Sequence, residues 1–149
     1  MIGVDGSEDS MRAVKKIREI EEKWPRKVVI FHAIEHKFLE NVPVLSIMPT
    51  ASHYPAMSSS DIERTKIEEG KNILNKAREI FGPSMAKVET RLIKDENPAE
   101  YLNKIVEEEG FDLVVLGYKG EHSKLKEFLM GSVAEKALEH ASCDVLIVR

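Results

Sequence analysis

Runs of adjacent aliphatic residues alternate along this chain with segments whose apolar residues recur every three or four positions. No other feature constrains the fold as much. Val28-Val-Ile-Phe31, Asp112-Leu-Val-Val-Leu116 and Asp144-Val-Leu-Ile-Val148 are nearly continuous apolar runs, as expected for parallel strands covered on both faces. Lys87 to Ile93 alternates, and Met1 to Asp5 is apolar and stops at Asp5-Gly6-Ser7. The first strand looks short, as if a few residues belonged before Met1. Between these runs, Met11, Val14, Ile17, Ile20 and Trp24 fall at helical spacing. So do Ile62, Ile67, Ile73, Leu74, Ala77 and Ile80, then Tyr101, Leu102, Ile105 and Val106. Val133 to His140 is a shorter last helix. Ser7 is a candidate N-cap and Pro25 a stop. Gly82-Pro83 ends the second helix, and Asn97-Pro98 is a cap followed by a favoured first-turn proline.

The order is therefore β-α-β-α-β-α-β-α-β, without internal repeat or linker, which predicts one domain over residues 1–149. Right-handed crossovers turn such a chain into an α/β fold, a three-layer, doubly wound, five-stranded parallel sheet, for which the common strand order 3-2-1-4-5 is expected. Ligands of such sheets sit beyond the carboxyl ends of the strands, where strand order reverses. Here that crevice falls between the first and fourth strands, which end at Asp5 and Gly117.

Gly117-Tyr-Lys-Gly120, ten further residues and then Gly131-Ser132 follow the fourth strand and lead into the last helix. Glycines let backbone approach a ligand closely, and a helix N-terminus offers free N–H groups to an anion. The same residues also fit a long connecting loop with Ser132 as a plain N-cap. A net charge of −4 with both signs interspersed argues against a nucleic-acid partner. Cys143 is the only cysteine, so no internal disulfide forms and a cytoplasmic location is expected; the residue itself reads as a small core side chain. No apolar stretch reaches membrane-spanning length, no signal-peptide pattern opens the chain, and no membrane partner is expected.

Together these residues resemble the universal stress protein family, and within it the ATP-binding branch. The resemblance covers nearly the whole chain. It rests on Val4-Asp5-Gly6-Ser7-Glu8, on Val29-Ile-Phe-His32-Ala33-Ile34, on Asn97-Pro98 through Phe111 to Gly117, and on Gly131-Ser132-Val133-Ala134-Glu135 with Cys143 to Val148. The family's nucleotide pattern is Gly-x2-Gly-x9-Gly-Ser/Thr; this chain matches the first spacing and has ten residues in the second. The resemblance implies ATP as ligand. Asp5 would accept from the adenosine end, and Ala33 would read the adenine edge with its backbone. Gly117 and Gly120 would pass close to ribose and phosphates. Gly131, Ser132, Val133 and Ala134 would meet the phosphates, with Ala134 lacking the hydroxyl that would help there. Val4 and Leu116, beside the strand ends, complete the implied set. Lys119, Lys124 and Lys126 would add positive charge. Glu121 or Glu127 would hold magnesium or manganese with the phosphates. Each of these loop residues also fits a plain solvated role.

No catalytic set emerges. His32, His36, His53, His122 and His140 lack the spacing of a zinc site, and no Gly-x-Ser-x-Gly elbow or Walker A sequence is present. Asp5-Gly6-Ser7-Glu8-Asp9-Ser10 approaches the Ser-Gly-Gly-x-Asp-Ser loop of ATP pyrophosphatases, but Asp5 and Ser7 stand where that loop needs its serine and second glycine. Three functions remain: an ATP-binding regulatory or stress-response protein with slow or no hydrolysis, a nucleotide-free dimeric scaffold, and a slow ATPase. The resemblance also implies a homodimer through the last strand, whose apolar edge invites pairing. Residues 37–60 hold Pro43, Pro49 and Pro55 among Phe38, Leu39, Val42, Val44, Leu45, Ile47, Met48 and Tyr54. That is too apolar for a solvated linker and is expected to pack over the crevice or at the dimer surface.

Overall fold

The computed structural model describes residues 1–34, 59–120 and 130–149. Five strands form one parallel sheet: β1 (Ile2–Gly3), β2 (Val28–Ile34), β3 (Val88–Lys94), β4 (Leu113–Gly117) and β5 (Asp144–Val148). Their order is β3-β2-β1-β4-β5, as expected. The helices are α1 (Glu8–Lys23), α2 (Ser59–Glu79), α3 (Pro98–Glu109) and α4 (Ser132–His140). The alternating side chains of each strand divide between two cores. Val28, Ile30 and Val115 join Val14 and Ile17 of α1 and Leu74 and Ala77 of α2. Val29, Phe31, Val114 and Leu116 join Leu102 and Val106 of α3 and Ala134 and Ala137 of α4. Each helix pair thus covers one face, and the switch between faces falls between β1 and β4.

Local chemistry sets the helix ends. Ser7 caps α1, its side chain accepting from the Ser10 N–H. Asn97 caps α3, its side-chain oxygen accepting from the N–H groups of Ala99 and Glu100. Gly110 ends α3 in the left-handed region at φ 65°, where glycine carries no Cβ penalty. Some details differ from the sequence reading. β1 spans only Ile2–Gly3. Helix α2 stops at Glu79, and Gly82–Lys87 forms a 3-10 turn instead of a simple break. Cys143 is half-buried, not a full core residue, because it leads into a strand that lies at the sheet's edge among the described residues. Burial still pushes its thiol above the ordinary range.

The edge strand β3 carries an ion network. Arg91 donates to Glu109 at the end of α3 (Nη2 to Oε2, 2.9 Å) and to Glu89 on its own strand. Lys27 reaches Glu109 at 3.3 Å. The hydrogen bonds from Arg91 hold the Glu109 carboxyl down at about 2. A carboxyl whose folded pKa is depressed stabilises the fold fully above its unfolded value, and that contribution is lost as pH falls through the folded one. Replacing Arg91 by Met should therefore return the Glu109 pKa toward about 4.3 and move acid unfolding to higher pH. Carbon-detected NMR titration of Glu109 checks this, and an unchanged pKa would refute the network's role.

Candidate functional site

β1 pairs with β2 on one side and β4 on the other. The crevice at the carboxyl ends of β1 and β4 is therefore floored by the residues that leave these strands. Asp5 follows β1. Its Oδ1 accepts from the Ser7 N–H at 3.0 Å and lies 2.6 Å from Ser7 Oγ, the turn-forming role open to any Asp at such a place. Its Oδ2 faces the glycine loop: a Cβ on Gly120 would lie 2.8 Å from it. The carboxylate thus closes its own turn with one oxygen and meets the loop with the other. Gly6, at φ +86°, allows the chain to turn there.

Gly117 is demanded by packing. A Cβ there would sit 2.5 Å from the Ser10 backbone nitrogen and 2.8 Å from the Asp9 carbonyl carbon. The first turn of α1 lies directly on the end of β4. From that turn, the buried Asp9 accepts from the Lys119 N–H through Oδ2 at 3.0 Å; its Oδ1 pairs with Arg12. Ser7 Oγ lies 3.1 Å from the Lys119 carbonyl oxygen. On the far side of the loop, the Gly131 N–H donates to the Tyr118 carbonyl at 2.8 Å, and the Tyr118 N–H donates to Val148 at 2.7 Å. The Arg149 guanidinium covers the Tyr118 ring at 4.0 Å.

Gly131, not Ser132, is the N-cap of α4, and it makes no side-chain capping bond. The first helix bond runs from the Glu135 N–H to the Gly131 carbonyl at 3.0 Å. The N–H groups of Ser132, Val133 and Ala134 therefore have no acceptor within the helix. Ser132 is exposed. The Ala134 side chain is buried in the α3–α4 core at 2% exposure, so a hydroxyl there would point into apolar packing; the residue offers its backbone only.

Across the crevice, the Phe31 carbonyl accepts from the Val4 N–H at 2.9 Å. Backbone groups two residues apart on a strand face the same way. Ala33 thus presents its N–H and C=O toward the β1 side, beyond the point where β1 ends at Gly3. His32 donates from Nδ1 to the Val4 carbonyl at 2.8 Å, an anchoring role for the strand end that the sequence does not signal. Val4 and Leu116 are buried at 5% and 4%, Leu116 against the close-packed Gly3.

The structure therefore gathers Val4, Asp5, Leu116, Gly117, Gly120 and the start of α4 at one switch point, with Ala33 on the adjacent strand. Glu121, His122, Lys124, Lys126 and Glu127 lie outside the described residues, as do His36, His53 and most of the 37–60 segment. Among the described residues no cluster of His, Cys, Asp or Glu could hold a metal ion, and no helix is long and apolar enough to cross a membrane. A separate cavity of about 70 Å³ lies at the opposite end of the sheet, between Ile17, Ile20 and Trp24 of the α1 end and Met1 and Leu113. None of the switch-point residues lines it. Asp9 was not legible as a site residue, since acids are common in any first helical turn, and Ser7 read as a plain N-cap.

The geometry makes Gly117 intolerant of a side chain. Gly117→Ala should cost about 1–3 kcal/mol, because the obstructing atoms are backbone. Urea denaturation would show this as a lower midpoint, and an unaltered midpoint would mean that α1 does not rest on β4.

Comparison with known proteins gives a consistent picture. The model of the Universal stress protein family matches residues 1–149. Universal stress protein YxiE of Bacillus subtilis is 28% identical over 100% of this chain and 97% of its own. Universal stress protein MJ0577 of Methanocaldococcus jannaschii is 25% identical over 97% of this chain and 90% of its own. The solved structure of MJ0577 superposes with a TM-score of 0.74 over 98% of this chain and 91% of that one. A universal stress protein solved in complex with cAMP has a TM-score of 0.63 at 23% identity, covering 99% of this chain and 93% of that chain.

Proposed function

We propose, from the premise that the chain belongs to the universal stress protein family, that it binds ATP at the β1–β4 switch point and acts as a regulatory nucleotide sensor with slow or no hydrolysis. The observation that carries this reading is the start of α4. Its N-cap lacks a side-chain bond, its first N–H groups are unclaimed within the helix, and they open beside a glycine loop held against Asp5. Such a helix start suits a phosphate. Asp5 then lies at the nucleoside end, where a carboxylate accepts from hydroxyl or amine donors. Ala33 offers a backbone donor and acceptor together, the pair that an adenine edge requires. Residues of this set fit an adenine nucleotide, and magnesium or manganese would arrive with its phosphates. The cAMP complex of a related protein supports an adenine nucleotide in preference to another anion.

The test is to denature freshly purified protein and identify what it releases. ATP near one per chain is expected. ADP would shift the reading to a slow ATPase. No nucleotide, and no binding of added ATP with magnesium, would overturn it in favour of a nucleotide-free scaffold. Gly120→Ala should fold but weaken ATP binding by about tenfold or more, as for loss of one charged hydrogen bond, because its Cβ displaces Asp5 Oδ2.

The same reading includes a homodimer through β5. The sheet's two edges differ. β3 carries Glu89, Arg91 and Lys94, whereas β5 reads Val145-Leu-Ile-Val148, all half-exposed. Asp144 and Val148 bond toward β4, so the backbone groups of Val145 and Ile147 face outward. Ile147→Pro removes one outward donor and should halve the mass seen by light scattering at micromolar concentration. A monomeric parent protein would refute the dimer.

A further inference from the structure

The hydrogen bonds on Lys119 have a consequence that the glycine pattern does not contain. A trans peptide points its C=O and N–H in opposite directions within one plane. The peptide joining Tyr118 to Lys119 has its N–H held by Asp9 Oδ2 at 3.0 Å, and its opposite end, the Tyr118 carbonyl, accepts from the Gly131 N–H at 2.8 Å. The next peptide has its carbonyl, on Lys119, 3.1 Å from Ser7 Oγ. Its opposite end is the Gly120 N–H, directed away from α1. A Cβ on Gly131 would lie 3.5 Å from that nitrogen, so it emerges beside the α4 start.

We propose that Asp9 is a positioning residue for the anion site: through two consecutive peptide planes it fixes where α4 begins relative to β4 and turns the Gly120 N–H toward that start. Asp9 touches no ligand in this scheme. It acts through Lys119, with Ser7 as its partner. Its buried carboxylate is well suited to the task. One oxygen takes the Lys119 N–H, and the other is balanced by Arg12, so the charge is paired without using a loop donor. The peptide bonded to Asp9 is also spent, since its N–H is taken. The donors left for an anion are then those of Gly120, Ser132, Val133 and Ala134. This inference rests on the nucleotide reading for its ligand, but the peptide relay itself does not.

Two substitutions separate the hydrogen bond from the charge. Asp9→Asn keeps an acceptor and loses the charge; Asp9→Ala loses both. Amide exchange of Lys119 and Gly131 is read by NMR on nucleotide-free protein, and ATP–magnesium affinity by calorimetry. In Asp9→Ala both amides should exchange about tenfold faster or more, and affinity should fall by a similar factor, the size expected for a lost hydrogen bond to a charged group. Asp9→Asn should stay within about threefold of the parent in both, the range of an ordinary neutral bond. Unchanged exchange in Asp9→Ala would overturn the relay. Faster exchange with unchanged affinity would overturn the positioning role. If the parent protein binds no ATP, the nucleotide reading fails, and faster exchange at both Lys119 and Gly131 would still establish the relay alone. If Asp9→Ala does not fold, Asp9→Ser, which keeps a polar first-turn residue but is too short to reach the Lys119 N–H, gives the same decision through exchange and affinity.

Discussion

The contact between the first turn of α1 and the end of β4 governs the rest of the crevice. It is closer than any side chain permits: backbone of Asp9 and Ser10 occupies the space where a Cβ of residue 117 would lie. Interiors packed at this density do not adjust smoothly, so the separation of β1, α1 and β4 is fixed to a narrow range. The turn after β1 and the loop after β4 are consequently held at one distance. Ser7 and Asp9 reach the loop because of that distance. A helix standing one ångström further out would leave each of those bonds too long to form.

This dependence runs from one layer of the fold to the other. Helices α1 and α2 cover one face and α3 and α4 the opposite one, with separate apolar cores. The two layers meet through backbone at the switch point. Tyr118 donates to Val148 and accepts from Gly131, so a single residue ties the end of β5 to the start of α4. The sheet's carboxyl edge is thus stitched by main-chain bonds, which tolerate many side chains. That tolerance agrees with solved structures that share the fold at 23–24% identity.

Much of the fold was legible because its signals are local and repeated. Continuous apolar runs gave β2, β4 and β5, and Ser7 and Asn97 marked helix starts through chemistry confined to a few residues. Strand order was expected as the common 3-2-1-4-5, and crossover handedness then fixed which face each helix covers. What escaped was set by tertiary contact. The 3-10 turn over Gly82–Lys87 has no periodicity to read. The half-burial of Cys143 depends on its strand lying at an edge. At the site, the glycines and Asp5 stood out because their residue types are unusual for their places. Asp9 and His32 did not, since an acid in a first turn and a histidine in a strand are ordinary. Their bonds, to Lys119 and to Val4, span 110 and 28 positions of sequence. No local pattern records such a partner.

The unequal edges of the sheet limit what the molecule can build. One border is lined with charge paired to a neighbouring helix; the other is bare aliphatic strand. A chain that paired only through the aliphatic border would have a valence of one. If two copies join there, both outer borders of the merged sheet are the charged kind, and nothing is left for a third to grip. Growth would then stop by geometry, without any capping partner, and a protein rich in β-branched strand would be kept from extending into a fibre.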